Sequence, residues 1–173
     1  VLPNIANGKM LLGPKTTEMI SEQRKSYRLT ISYVGVFDHD RGLENLLRCV
    51  SERSDILLNI AGFGVLDKEI QAYADANSNI CYWGRVEYAV GQAIQKNSDL
   101  IAAMYHLTSP LHKYAAPNKY YESLLLAVPM VTTNNTLVGS KVTRYDTGFV
   151  IGEDKKDLFL LLDDVNLKED SIA

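Results

Sequence analysis

The chain carries 173 residues, 46 % of them apolar and 23 % charged, with 18 Lys and Arg against 21 Asp and Glu for a net charge of −3. That profile describes one globular domain long enough to bury a full core, and it excludes a disordered tail, a collagen-like rod and a membrane bundle. The slightly acidic balance excludes a general attraction for nucleic acid or anionic lipid, so any phosphate must be held locally.

The predicted elements alternate between strand and helix. A polar lead-in over residues 1–28 is expected to be loose. Residues 29–34 (Leu-Thr-Ile-Ser-Tyr-Val) alternate apolar with small polar side chains and read as a first strand, closed by Gly35. Residues 42–54 place Leu43, Leu46, Leu47 and Val50 at helical spacing. A second strand over 56–60 is stopped by Gly62 and Gly64, and Leu66, Ile70 and Tyr73 mark the next helix. Residues 80–83 form a short strand closed by Gly84, followed by a helical stripe of Val86, Val90, Ala93 and Ile94. Then come a strand over 100–104, a loop over 105–116, and a helix opened by Pro117 and running to Ala127. Residues 129–132 start a further strand, 147–151 form the last, 157–162 are an apolar helical patch, and 166–173 are a tail.

Strands and helices in strict alternation imply right-handed crossovers and a parallel sheet covered on both faces, a doubly wound Rossmann-like α/β domain over residues 29–165. Ligands in such sheets bind beyond the carboxyl ends of the strands, where strand order reverses. The loops after Gly35, Gly62, Gly64 and Gly84, with the loop over 105–119, are expected on that rim.

Cys49 and Cys81 are too few for a disulfide framework and lack zinc spacing, so both read as buried thiols. The apolar run over 124–131 is short and interrupted by Pro129, which leaves no membrane-spanning candidate, and there is no signal peptide. The chain opens on Val1 rather than Met, as a piece of a longer protein would. Asn134-Asn135-Thr136 matches a glycosylation sequon by pattern only.

Two segments carry candidate chemistry. Gly35-Val36-Phe37-Asp38-His39-Asp40-Arg41-Gly42 joins the first strand to the first helix, where glycines admit phosphate to backbone amides and Arg41 can grip a diphosphate. An ordinary turn with a solvated Arg fits the same residues. The loop has neither a dinucleotide fingerprint nor a P-loop. Pro117-Asn118-Lys119-Tyr120-Tyr121-Glu122 opens a helix whose free amides face the rim. Lys119 sits in its first turn, where the helix dipole disfavours a cation unless an anion is present. Glu122, almost one turn on, can accept two ribose hydroxyls, although a lone Glu on a solvated face fits as well.

Taken together, these pieces resemble the nucleotide-sugar lobe of the family 4 retaining glycosyltransferases, which have the GT-B fold of two Rossmann-like lobes. The resemblance runs from Val1-Leu2-Pro3-Asn4 through Gly35 to Arg41-Gly42, Gly62-Phe63-Gly64, Trp83-Gly84-Arg85-Val86 and Pro117 to Glu122. It continues through Ala127-Val128-Pro129 to Asp146-Thr147-Gly148-Phe149-Val150. It implies that Glu122 binds the donor ribose and that Pro117, Asn118 and Lys119 cradle the diphosphate. Arg41 would neutralise the leaving phosphate, making Arg41, Lys119 and Glu122 the catalytic set. Gly35, Val36 and Gly64 would border the donor, and Arg85, Val86 and Tyr88 would line the base pocket. The family pattern has Arg where this chain has Val36, leaving Lys119 or His39 to replace it. The pattern also has a first Glu where this chain has Tyr114, with His112 and Lys113 nearby and His112 expected at the surface.

The resemblance further implies a UDP- or GDP-sugar as partner and transfer to a saccharide or lipid-linked acceptor held by a missing N-terminal lobe. Polysaccharide biosynthesis of the O-antigen or capsule type would be the setting, in the cytoplasm or at the inner face of the membrane, with no metal or other cofactor and no nucleic acid. Tyr105, Tyr114, Tyr120 and Tyr121 are expected near the rim. An oxidoreductase domain and a non-catalytic interaction module are the alternatives; the loop at Gly35 lacks the glycine pattern that the first requires.

Overall fold

Strands covered by helices on both sides must be buried along their whole length rather than on alternate residues. In the computed structural model, which describes residues 14–165, β1 (Leu29–Phe37) has this character, with Leu29 through Tyr33 buried on both faces. The other strands are β2 (Ile56–Gly64), β3 (Ile80–Tyr82), β4 (Leu100–Ala103), β5 (Met130–Thr133) and β6 (Gly148–Ile151). All pairings are parallel, in the order β3-β2-β1-β4-β5-β6. The order reverses between β1 and β4, so the doubly wound α/β expectation holds.

The helices are α1 (Pro14–Lys25), α2 (Leu43–Ser51), α3 (Asp67–Ala76), α4 (Tyr88–Lys96), α5 (Pro110–Tyr114), α6 (Asn118–Leu126), α7 (Leu137–Tyr145) and α8 (Lys155–Asp164). On one face Leu43, Leu46, Leu47 and Val50 of α2 pack with Ile70 of α3 and Leu158 and Leu162 of α8. On the other, Ile20 of α1 meets Ala93 and Ile94 of α4, while Tyr120 of α6 meets Val138 and Val142 of α7. Among the described residues no helix is long and apolar enough to cross a membrane.

Several expectations need correction. Part of the lead-in is ordered: α1 buries Ile20, and Arg24 forms an ion pair with the buried Asp99, whose carboxylate also accepts the Thr30 amide at 2.8 Å. β1 and β2 do not stop at their glycines but run through them, pairing Gly35 with Gly62 and Phe37 with Gly64. The glycines permit the close approach that extends the pair: a Cβ on Gly62, at φ 148°, would overlap the Gly35 carbonyl oxygen. The loop over 105–116 contains α5, and α7 was not anticipated. Thr136 caps α7, its hydroxyl accepting the Gly139 amide at 2.9 Å and donating to the Thr133 carbonyl at 2.7 Å, so the sequon pattern is a buried helix cap. Cys49 is buried as expected, but Cys81 is only half-buried. Val1-Leu2-Pro3-Asn4 and the 166–173 tail lie outside the described residues.

Pro117 is the N-cap of α6 rather than its first residue, and the helix ends on Ala127 in the left-handed region at φ 53°. Ala127→Gly relieves that conformation and is expected to stabilise the fold by about 0.5–1 kcal/mol. Gly62→Ala is expected to cost about 3 kcal/mol or more through backbone overlap. Urea denaturation of both variants checks the pair.

Candidate functional site

The carboxyl ends of β1 and β2 and the segment after β4 enclose a cavity of about 650 Å³, at the point where strand order reverses. Of the residues expected at the site, Gly35, Val36, Arg41, Arg85, Val86, Tyr88, Pro117, Asn118, Lys119 and Glu122 all line it. They come from the turn after β1, the segment before α4, and the start of α6. Two expected residues do not line it. Gly64 is spent on the strand pair, its bare Cα packed against the backbone of Phe37. Tyr114 stands exposed on α5, with the Lys113 ammonium 5.6 Å from its ring centroid.

Lys119 is the best-placed cation. It is half-buried, and its ammonium lies 4.5 Å from the Tyr33 ring centroid. It occupies the space beside Gly35, where a Cβ would come within 2.6 Å of Nζ. That puts it next to Val36, the position the family pattern gives to Arg. His39 does not compete: it is exposed and bound at 2.6 Å to Glu44. Burial pulls the Lys119 ammonium down to about 8; Arg41 adds to the depression and Glu122 opposes it. Two cations thus share the cavity wall, a costly arrangement that an anion between them would relieve.

The start of α6 adds to this field. Pro117 has no amide hydrogen and no side chain caps the helix, so the amides of Asn118 and Lys119 open towards the cavity these residues line. Glu122 stands one turn deeper and receives a hydrogen bond from Gln95 Nε2 of α4 at 3.2 Å. One carboxylate oxygen is fixed and the other is left to accept from a ligand. Against the opposite wall, the Arg85 guanidinium lies 4.7 Å over the half-exposed Phe63 ring, and the Tyr88 hydroxyl accepts from Gln92 Nε2 at 3.0 Å.

Sequence reasoning did not single out Tyr33 or Gln95. Tyr33 reads as an ordinary strand residue, yet its ring lies under Lys119 and its hydroxyl donates to the Val36 carbonyl at 2.6 Å. Gln95 reaches Glu122 from a separate helix, with no local signal of the contact. Of the four rim tyrosines, Tyr105 lines the cavity, while Tyr120 and Tyr121 pack with Lys141 of α7. His112, expected at the surface, is buried, because both its ring nitrogens find partners inside. Among the described residues no group of three His, Cys, Asp or Glu side chains could hold a metal ion.

No family model and no curated protein sequence matches the chain. Solved structures do resemble it. WaaG, a glycosyltransferase involved in lipopolysaccharide biosynthesis, is 17 % identical with a TM-score of 0.67 over 98 % of this chain and 47 % of that one. Anabaena HepE, in complex with UDP-glucose, is 12 % identical with a TM-score of 0.66 over 92 % of this chain and 44 % of that one. The catalytic domain of a cholesterol-alpha-glucosyltransferase from Helicobacter pylori is 18 % identical with a TM-score of 0.57, over 83 % and 89 %. The fold is therefore that of one lobe of a GT-B glycosyltransferase, and the chain spans about half the length of WaaG and HepE.

The Lys119 ammonium is expected to titrate near pH 8, followed by the ¹³Cε resonance of the labelled residue. Arg41→Ala should raise that midpoint by removing a like charge, and Glu122→Gln should lower it by removing an opposite one. A midpoint at the ordinary 10.5 would contradict the burial described.

Proposed function

We propose that this chain is the donor-binding lobe of a retaining glycosyltransferase of family 4, holding a nucleoside-diphosphate sugar in the 650 Å³ cavity. The observation that carries the reading is the convergence of Lys119, Arg41 and the open amides of α6 on one side of Glu122. A diphosphate supplies the anion that two neighbouring cations and a helix start require. A ribose, one step along the ligand, supplies the hydroxyls that a fixed carboxylate accepts. The backbone of Arg85 and Val86, with Tyr88, would receive the base. HepE, solved with UDP-glucose, and Arabidopsis starch synthase IV, solved with ADP and acarbose, support a nucleoside diphosphate as the ligand class.

In that reaction the bond from the sugar C1 to the diphosphate oxygen breaks and its electron pair goes to the diphosphate, while an acceptor hydroxyl forms the new bond to C1 and passes its proton to the departing diphosphate. Negative charge grows on the leaving diphosphate, so donors fixed around it lower the barrier. Lys119 and Arg41 do this work without a metal ion. A saccharide or lipid-linked acceptor would be presented by a second lobe, in bacterial polysaccharide synthesis at the inner face of the membrane. Residues 29–165 form the donor-binding domain in this scheme, entered through 1–28 and followed by the 166–173 tail. The chain by itself should then bind nucleotide and transfer little.

Calorimetric titration with UDP, GDP, ADP and NAD tests the reading. One nucleoside diphosphate should bind, and Glu122→Ala should weaken it roughly tenfold by removing a charged acceptor of two hydrogen bonds. Lys119→Met should weaken the diphosphate but leave the matching nucleoside unchanged. In the wild type, affinity for the UDP-sugar should fall as pH rises through about 8, where free Lys119 loses its proton, and Lys119→Met should abolish that dependence. Binding of NAD alone would point to an oxidoreductase. Silence towards all four would leave an interaction module.

A further inference from the structure

Arg41 is held from behind by contacts that lead away from the cavity to His112, which does not line it. Its Nε lies 3.2 Å from Asp40 Oδ1, and its guanidinium sits 5.3 Å from the Tyr105 ring centroid. Neither Arg41 Nε nor Asp40 Oδ1 has a well-directed hydrogen bond, so this ion pair alone fixes the guanidinium poorly. The other carboxylate oxygen, Asp40 Oδ2, is 3.2 Å from Nε2 of His112. His112 is buried on α5, its Nδ1 is 2.9 Å from the His106 carbonyl oxygen, and the His106 amide donates to the Asp40 carbonyl at 2.9 Å. The imidazole also meets Tyr105 edge-on at 5.4 Å, the ring on which Arg41 rests.

Both ring nitrogens of His112 face oxygens that only accept. The Nδ1 side is anchored on the His106 carbonyl, and the Nε2 side holds the far oxygen of Asp40 at 3.2 Å. Around the ring stand Asp40 and Arg41, of opposite sign, from the turn at His39–Arg41, and the Tyr105 phenol after β4. On α5 the Lys113 ammonium turns to Tyr114, and on α7, which packs against α5, Lys141 turns to Tyr120 and Tyr121.

We propose that His112 is a positioning residue for Arg41: its Nε2 holds Asp40, and Asp40 steadies the guanidinium over Tyr105, aimed at the diphosphate end of the cavity. This rests on the nucleotide-sugar reading above. His112 does not line the cavity, so contact with the ligand cannot produce its effect on binding. The segment carrying α5 thereby becomes part of the phosphate grip.

A double-mutant cycle on the whole chain tests it, with UDP and uridine as probes. His112→Phe keeps the ring packing on Tyr105 and removes both ring nitrogens; it should weaken UDP about tenfold, the worth of one charged contact, and leave uridine unchanged. In an Arg41→Ala background the same substitution should change UDP affinity less than twofold, because the group it positions is gone. His112→Gln, which retains a donor, should recover part of the loss. Circular dichroism verifies that each variant is folded, and an unfolded His112→Phe is replaced in the cycle by Asp40→Asn, for which the same coupling is expected. Equal losses with and without Arg41, or a loss that extends to uridine, would overturn the positioning role and leave the nucleotide reading intact. A wild type that binds neither UDP, GDP nor ADP would overturn both.

Discussion

Lys119 lies on the cavity wall where β1 carries no side chain, at Gly35. A Cβ there would come within 2.6 Å of the ammonium that rests on the Tyr33 ring. The same absence of side chains at Gly62 and Gly64 lets β1 and β2 continue as a close pair beyond the rest of the sheet. That extension supplies the cavity with its wall on one side, and α6, arriving from the β4 side, supplies the cation. The site is thus a product of backbone proximity, and its chemistry follows from what the proximity admits.

The electrostatics are unbalanced in a directed way. Arg41 pairs with Asp40 and Glu122 is bonded by Gln95, while Lys119 rests on the Tyr33 ring between a like charge, Arg41, and an opposite one, Glu122. Its lowered proton affinity comes first from burial and then from Arg41, against Glu122. A fold that places a cation beside another cation at a helix start loses stability by doing so, and regains it when an anion binds. The strand order, reversing between β1 and β4, puts this arrangement where doubly wound sheets leave their crevice.

The fold was legible because parallel strands and their helices carry distinct periods, and the apolar runs at 29–34 and 56–60 leave little choice. The Pro117-to-Glu122 block was legible because a proline, a first-turn lysine and an acidic residue one turn on make an unusual helix start. What escaped was set by tertiary contact. Helix α7 is short and weakly patterned, and its start hides in a run of Asn and Thr that reads as a loop until Thr136 is seen to cap Gly139. Helix α1 looks like a polar linker because, among its described side chains, Ile20 marks the buried side, and Arg24 meets Asp99 from far along the chain. His112 was expected at the surface because its partners, Asp40 and the His106 carbonyl, are brought to it by the turn after β1 and the segment after β4. Gly64 and Tyr114 were placed at the site by motif position, and each is removed from the cavity by what its neighbours do.

A crystal structure of the chain with UDP-glucose tests the central claim most directly. The account places the two phosphates between Lys119 Nζ, the Arg41 guanidinium and the amides opening α6, with the ribose hydroxyls on Glu122. A nucleotide bound elsewhere, or one whose ribose turns away from Glu122 while its phosphates leave Lys119 without an anion, would contradict it.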